Sequence, residues 1–492
     1  MKKSLFFLLL WFPVLLQAQG TGDFLNSFEE FERLMNQEFI AFKDSADAIF
    51  AKALEEQWKE FQAFTNPAPV KPNPQTPPVV NTPPETPPTP IEIPIKEIIP
   101  PQRQEPEPPQ QTDEDRSQAP SDNRPLPHQK TIHLWNSVYK IPYDISLEQL
   151  KLTNTQEKTI ADFWRSLSNT NYQPVINAME EIVTRCELSD YGLALLCHEY
   201  AKSVWTNNTQ ESKNQTAVLF VFLLNQLSLD AKIARTSQGL EAILHSLQEV
   251  YAIAGMEINR KNYYFLFTPY SPLGGIYTYE VNRSEKTTGL DFNIYKPLNI
   301  GGALVKKELP VQRLDKTVTL TFSENAIAYY KDHPQVEPGV YADAAVSDVF
   351  RSSFMNQFGP LLAGKTEYEA VDILLNFMHY AFDYKTDGDQ YGYEKWNFCE
   401  ENLYYPYNDC EDRAFLFSRL VRELLHLEVA LVQYSNHFST AVHFTTPVSG
   451  SYFTIDGKRF TVCDPTYIGA MIGMNPEQYK IEKAEIVKLK KY

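Results

Sequence analysis

The chain has 492 residues, of which 43% are hydrophobic and 13% aromatic, and a net charge of −17 from 45 Lys and Arg against 62 Asp and Glu. At about one globular unit per ~150 residues, this length allows two or three units. The acidic balance argues against a nucleic-acid-binding protein, because phosphate neutralisation needs a basic surface.

The first twenty residues have the layout of a secretory signal peptide. Two lysines precede an apolar run from Leu5 to Leu16, and the small residue Ala18 follows it. The run is shorter than the ~20 residues that a membrane-spanning helix needs. We therefore predict a signal peptide over residues 1–18 and an exported protein, periplasmic or extracellular, with no integral membrane segment.

Residues 22–64 predict an amphipathic helix with an eleven-residue repeat. Two apolar rows run along it, three positions apart: Phe28, Phe39, Phe50 and Phe61, then Phe31, Phe42, Ala53 and Phe64. Eleven residues in three turns is about 3.67 residues per turn, so the rows form one stripe. The stripe allows two interpretations, which are self-association or docking on a partner, and packing back on the body of the protein.

The next segment, residues 65–127, is predicted to be a disordered linker. Of the 34 prolines in the chain, 20 fall within 67–127, and those residues include no Phe, Tyr, Trp, Gly or Cys. A segment without aromatic residues cannot offset its ordering entropy by burial. Its composition favours an extended polyproline II spacer over a docking site for proline-binding domains.

The body is predicted to comprise a mainly helical domain over 128–260, a β-rich region over 261–330 and a catalytic domain over 331–492. Segments 212–235 and 410–433 both have the pattern of a helix, a polar break and a strand. This likeness suggests a diverged internal repeat. If the repeat is real, Ser212 takes the position of Cys410 and the first copy is catalytically dead.

The residues that point to chemistry lie in the last hundred. Cys410 precedes a strong helical pattern, and a cysteine at a helix N-terminus is favoured as the thiolate by the helix dipole. His437 and then Asp464 follow on predicted antiparallel strands. A cysteine, a histidine and an aspartate in this arrangement can serve as nucleophile, general base and orienting carboxylate. The alternative for Cys410 is an inert buried thiol.

The three sequence blocks DCEDRAFLFSRLV, NHFSTAV and DGKRFTVCDPTY resemble the core of the transglutaminase-like superfamily, in its bacterial exported branch. The resemblance covers roughly residues 340–475. It implies a papain-like α+β fold in which the cysteine helix packs on an antiparallel sheet. It also implies that Cys410 is the nucleophile, His437 the general base and Asp464 the orienting residue.

His443 competes with His437 for the role of base. Six residues separate them, so both point to the same face of a regular strand about 20 Å apart, and only one can reach Cys410. The family places its histidine at the start of this strand, which favours His437.

Among the other cysteines, Cys463 is expected to pack in the core, whereas Cys399 offers a less favoured redox disulfide with Cys410.

An aromatic segment lies just upstream of Cys410 and is interpreted either as a wall of the substrate groove or as an ordinary aromatic core. From it we select Gln390, Trp396 and Tyr405 as candidates for oxyanion or substrate contacts. The pair Asp387 and Asp389 suggests calcium, but the twelfth position of an EF-type loop would be Phe398 instead of glutamate. We therefore predict no metal and no cofactor.

These observations together predict an exported transglutaminase-like cysteine enzyme. It would act on protein or peptide amides through a thioester, by hydrolysis or by transamidation. The alternative is a catalytically silent scaffold of the cell envelope that uses the same fold for binding.

Overall fold

The computed structural model describes residues 46–68, 79–80, 88–101 and 126–491, apart from residues 273 and 285. The predicted signal peptide and the first half of the predicted N-terminal helix lie outside these residues. The fold is α+β, as predicted, with two seven-stranded sheets that pack against helices. None of the helices in the described part of the chain has the length and apolar character that a membrane crossing requires.

The described residues of the N-terminal segment form one helix and four short strands. They are α1 (46–56), β1 (Trp58–Phe61), β2 (Phe64–Thr65), β3 (Ile91–Glu92) and β4 (Ile95–Ile99).

A first unit follows, made of a hairpin, four helices and five strands. In chain order these are β5 (His128–Leu134), β6 (Ser137–Tyr143), α2 (Glu157–Ser168), α3 (Gln173–Cys186), α4 (Asp190–Val204), α5 (Gln210–Gln226), β7 (Ala231–Thr236), β8 (Gly239–His245), β9 (Ala254–Ile258), β10 (Lys261–Tyr264) and β11 (Ile276–Tyr279).

The second unit also begins with a hairpin. Its elements are β12 (Leu304–Val311), β13 (Lys316–Ser323), α6 (Glu324–Lys331), α7 (Pro338–Asp343), α8 (Asp348–Leu362), α9 (Glu367–Ala381), β14 (Asp383–Tyr384), α10 (Asp387–Gln390), α11 (Glu401–Tyr404), β15 (Tyr407–Asn408), α12 (Cys410–Leu425), β16 (Glu428–Gln433), β17 (Phe438–His443), β18 (Ser451–Ile455), β19 (Lys458–Cys463), α13 (Glu477–Ile481) and β20 (Ala484–Lys488).

Each unit contributes five antiparallel strands to one large sheet, and the N-terminal segment adds a strand at both edges. The first sheet has the order β1-β11-β7-β8-β10-β9-β2 and the second has the order β3-β18-β19-β17-β16-β20-β4. The edge strands β3 and β4 run parallel to their neighbours. Both sheets therefore have edges that are covered by the segment preceding the body.

The prediction that the whole of 65–127 is a disordered linker is wrong for part of this segment. Of these residues, the structure describes 65–68, 79–80, 88–101 and 126–127. Residues 91–99 form strands, the N–H of Ile93 donates to the carbonyl of Tyr452 at 2.8 Å, and the Ile93 side chain is buried. The local sequence IEIPIKEII is rich in isoleucine, which favours strands. Composition averaged over the whole proline-rich stretch obscured this short apolar run.

The predicted helix over 22–64 also ends earlier than expected. Within the described residues it covers 46–56, and the phenylalanines at 61 and 64 lie on strands β1 and β2 instead. This helix packs back on the body: the ring of Phe50 lies 4.8 Å from that of Trp164, and the carboxylate of Asp47 accepts from Arg283 at 2.6 Å. Of the two interpretations of the stripe, the described part supports packing on the body.

The predicted boundary between 128–260 and 261–330 divides a sheet, because β7 to β11 belong together. The second unit begins with the hairpin at Leu304, earlier than the predicted start at 331. Local periodicity predicts which residues form helices and which form strands. It does not predict which strands pair, and here the pairing joins strands on both sides of the predicted boundary.

Helix α12 lies at the centre of the second unit and is buried along nearly its whole length. Strand β16 alternates between the two faces of its sheet: Val429 and Leu431 belong to the main apolar core, whereas Ala430 and Val432 belong to a smaller core on the other face. The sheet is therefore apolar on both sides, which fixes the register of its strands.

Replacing Ile93 tests the contribution of the proline-rich segment to stability. Truncation of this buried side chain (2% exposed) in Ile93→Ala should lower the free energy of unfolding by about 2–4 kcal/mol in urea denaturation. The matched control Ile98→Ala, at a side chain that is 38% exposed, should change it by less than ~1 kcal/mol. Equal and negligible effects of both substitutions would indicate that this segment is a linker after all.

Candidate active site

Cys410 is the first residue of α12 and is completely buried. Its Sγ accepts the backbone N–H of Phe438 at 3.3 Å, which places the sulfur against the residue that follows His437. The thiol also lies 3.0 Å from a carboxyl oxygen of Glu411. Packing of α12 on β16 and β17 thus brings the cysteine helix to the start of the strand that carries the histidine.

His437 and Asp464 form a direct pair. His437 Nε2 lies 2.7 Å from Asp464 Oδ2, and both side chains are buried. His437 Nδ1 has no hydrogen-bond partner among the described residues. The ring of Tyr479 stacks at 5.3 Å and that of Tyr467 contacts it edge-on at 5.2 Å, which holds the imidazole plane. The arrangement leaves Nδ1 as the nitrogen that can exchange a proton.

Asp464 is held as a carboxylate. Its Oδ1 accepts the N–H groups of Thr466 at 2.9 Å and Tyr467 at 3.2 Å, while Oδ2 faces the imidazole. Burial alone would raise the pKa of this carboxyl, but the charge and hydrogen bond of His437 and the two N–H donors outweigh burial and lower the pKa below its usual value. Asp464 can therefore orient the imidazole and stabilise its charged form.

The state of the thiol differs from the expectation based on the helix dipole. Burial raises the pKa of the Cys410 thiol well above its usual value, and the neighbouring Asp409 adds to the effect; the contacts with Glu411 and Phe438 offset it only in part. Desolvation and nearby acids outweigh the helix N-terminus here. In this structure, Cys410 is consequently a neutral thiol.

Of the two candidate histidines, His437 contacts Asp464 and His443 does not. His443 stands at the far end of β17, where its Nδ1 lies 2.9 Å from the carbonyl of Arg459. A third histidine, which the sequence analysis missed, supports the site: His379 Nε2 lies 2.9 Å from the backbone carbonyl of Asp464, and burial lowers the pKa of His379 to about 4. A lone histidine on α9 carries no local signal for this role, because only the tertiary fold brings it to Asp464.

Two of the three candidates for oxyanion or groove contacts lie in the buried surroundings. Trp396 packs against Phe438 with ring centroids 5.6 Å apart. The side-chain N–H groups of Trp396 and Gln390 are buried and have no hydrogen-bond partner within the described part of the chain. Tyr405 lies among other aromatic rings, 5.3 Å from Tyr391 and 5.1 Å from Tyr404, so its contacts are those of an aromatic core.

Three buried carboxyl groups surround the start of α12. Ligand oxygens of Asp387, Asp409 and Glu411 all lie within 4.8 Å of one another, close enough to share a cation. Burial and the charge of Asp409 raise the pKa of Asp387 to about 11, and the pKa values of Asp409 and Glu411 are also raised well above the usual range, chiefly by burial. An all-oxygen set of this kind suits a hard divalent cation, and without one its members are held as neutral acids.

All five cysteines are free and buried. Cys463 lies in β19 within the core, and Cys399 Sγ contacts the carbonyl of Phe415 at 3.7 Å.

Comparison with protein-family models, with curated proteins and with solved structures finds no match for this chain. The functional interpretation therefore depends on the geometry of the site.

The ionised state of Asp464 predicts a pH-dependent contribution to stability. Because its folded-state pKa is lowered below the unfolded value of ~3.9, this contribution is present above that pH and is lost as the pH falls through the folded-state pKa. The difference in free energy of unfolding between the wild type and Asp464→Asn should be constant above roughly pH 5 and shrink at lower pH. Exposed Asp456→Asn is the control, and a difference for Asp464→Asn that persists unchanged at acidic pH would contradict this assignment.

Proposed function

We propose that this protein is a transglutaminase-like cysteine acyltransferase that acts on protein or peptide amides outside the cytoplasm. One observation carries the proposal. His437 Nε2 contacts Asp464, His437 Nδ1 has no hydrogen-bond partner among the described residues, and the backbone N–H of the next residue, Phe438, donates to Cys410 Sγ. These contacts support a cysteine nucleophile, a histidine base and an orienting carboxylate, although His437 Nδ1 and Cys410 Sγ are not hydrogen-bonded in this structure. The resemblance of the three sequence blocks to the transglutaminase-like superfamily and its papain-like fold agrees with this arrangement.

The proposed chemistry starts from the protonated thiol of Cys410, with the imidazole of His437 as the proton acceptor. His437 Nδ1 takes the proton of Cys410 as the sulfur attacks the amide carbonyl, and Asp464 stabilises the imidazolium that forms. The carbon–nitrogen bond then breaks, and the imidazolium gives its proton to the departing amine or ammonia. Water or a primary amine attacks the resulting thioester, loses a proton to His437, and the thiol is restored. The first route is hydrolysis and the second is transamidation.

Two buried donors support stabilisation of the developing negative charge. The indole N–H of Trp396 and the amide of Gln390 are unused in this structure, and Trp396 packs on Phe438 beside the sulfur. A buried N–H without a partner costs free energy, so its retention is consistent with a role that appears only when an oxyanion is present. We propose Trp396 as the principal side-chain donor.

A catalytically silent scaffold is the second candidate. The observation that favours it is the complete burial of Cys410 together with its raised pKa, since a thiol in this state is a poor nucleophile until the side chains over it are displaced. The two candidates make opposite predictions for turnover.

The test is incubation of the protein with a peptide that contains an internal glutamine, with and without a fluorescent primary amine. Ammonia release without incorporation of the amine indicates hydrolysis, and incorporation indicates transamidation. His437→Gln should lower the rate by at least about 100-fold, because general base catalysis is lost, and Cys410→Ala should abolish it.

His443→Gln is the matched control, because His443 lies on the same strand but bonds to the carbonyl of Arg459. It should retain the rate to within about twofold. Turnover that survives in Cys410→Ala, or that is lost equally in both histidine variants, would refute the assignment of the triad. The absence of both products with the wild-type protein would favour the scaffold.

A further inference from the structure

The first and second units share the order of their main elements, to which the second unit adds short ones, among them β14, α10, α11 and β15 between α9 and α12 and α13 before β20. Both begin with a hairpin, continue with helices, and end with one long helix followed by five strands. Leaving out the N-terminal edge strands, the first sheet has the order β11-β7-β8-β10-β9 and the second has the order β20-β16-β17-β19-β18. Matched in chain order, every strand has the same neighbours with the same antiparallel pairing.

The packing of the helices is also the same. Helix α4 lies against β5 and α5, as α9 lies against β12 and α12. Helix α5 lies against β7 and β8, as α12 lies against β16 and β17. The hairpins β9–β10 and β18–β19 even close through the same turn, since Asn259 and Arg260, like Asp456 and Gly457, all have positive φ. The likeness thus extends from the whole unit to a single turn.

The match identifies the position in the first unit that corresponds to the active site. Cys410 begins α12, His437 directly precedes β17, and Asp464 directly follows β19. The residues at the same places around α5, β8 and β10 are Gln210, Gln238 and Phe265. The counterpart of Cys410 is therefore Gln210, and the prediction of Ser212 at this place was wrong by two residues, because it was based on a fixed offset in sequence and not on the first residue of each helix. Two amides and a phenyl ring contain neither a nucleophile nor a base, so this position cannot perform the chemistry of the second unit.

An open cleft of about 650 Å³ lies at this position, and both Gln210 and Gln238 line it. The cleft is open because one segment is missing. In the second unit, residues 382–409 connect α9 to α12 and bury the site; in the first unit, only residues 205–209 connect α4 to α5. The volume is within the range of ligand-binding pockets.

The walls of the cleft combine aromatic surface with positive charge. Phe220 and Phe267 pack together with ring centroids 4.9 Å apart, and Trp205 lies nearby in the same lining. Exposed Lys213 stands at the rim and forms no ion pair within the described part of the chain, whereas Lys202 beside it pairs with Glu199 at 2.7 Å. The carboxylate of Glu241 accepts from the hydroxyls of Thr268 at 2.9 Å and Tyr270 at 2.7 Å. The lining therefore favours a ligand that is partly apolar and that places a carboxylate at Lys213.

We propose that the first unit is a non-catalytic copy of the second, and that its cleft binds an extended polypeptide segment with aromatic and acidic side chains. The assignment to a polypeptide rests on the proposed function, since a cleft at the place of a substrate groove would hold the same class of ligand without transforming it. Aromatic side chains of the segment pack on the partly exposed rings of Phe267 and Trp205, and a carboxylate of the segment faces Lys213. The cleft then acts as a second anchor for substrates of the catalytic unit.

The test measures binding on the Cys410→Ala variant of the full chain, so that turnover does not interfere. The probe is a fluorescein-labelled peptide in which glutamate and phenylalanine alternate, and the readout is fluorescence anisotropy. Lys213→Glu should raise Kd about tenfold, and Thr216→Trp, which fills the cleft lined by Thr216, should abolish binding. Lys151→Glu, at an exposed lysine outside this lining, is the control and should leave Kd within about twofold.

A peptide in which lysine replaces glutamate should bind at least tenfold more weakly. Failure of the acidic peptide to bind, or equal weakening by Lys213→Glu and Lys151→Glu, would overturn the proposal. Because this measurement needs no active triad, binding without any ammonia release would leave the second anchor standing while the proposed function fails. Turnover with no binding at the cleft would show the reverse.

Discussion

The burial of α12 is the constraint on which the site depends. A helix covered on all sides must satisfy its charged residues internally. Arg422 pairs with Asp343 of α7 at 2.5 Å, and Arg419 pairs with Glu423 one turn along the same helix at 3.1 Å. Loss of one partner of such a buried pair costs about 3–5 kcal/mol. These contacts hold the helix firmly, and Cys410 at its N-terminus is held with it.

The same burial sets the chemical character of the nucleophile. Desolvation and the neighbouring Asp409 oppose a free thiolate, so the dipole of α12 alone does not activate Cys410. In the proposed mechanism, activation comes from the imidazole of His437 during attack, so the pairing of this ring with Asp464 matters more than the position of the cysteine on the helix. A thiol kept neutral between turnovers is also protected from oxidation.

The sequence predicted the parts of the structure that local pattern determines. The α+β class, the helix that begins at Cys410 and the strands that follow it all follow from periodicity. Long-range pairing was not predictable in this way. Strands β3 and β4 lie in a segment whose average composition indicates disorder, and His379 reaches Asp464 only through the packing of α9. The burial of Cys410 was only the alternative interpretation of the sequence for the same reason, because it depends on residues 382–409 folding over the helix.

The most direct test of the account is detection of the acyl-enzyme itself. The protein is mixed with a glutamine-containing peptide, quenched in acid within seconds, and analysed by intact-mass and peptide mass spectrometry. The account predicts an adduct equal to the peptide acyl group, located on Cys410, absent from Cys410→Ala and removed by a primary amine or by water. An adduct on another residue, or no adduct under conditions in which the peptide is consumed, would contradict a thioester at Cys410.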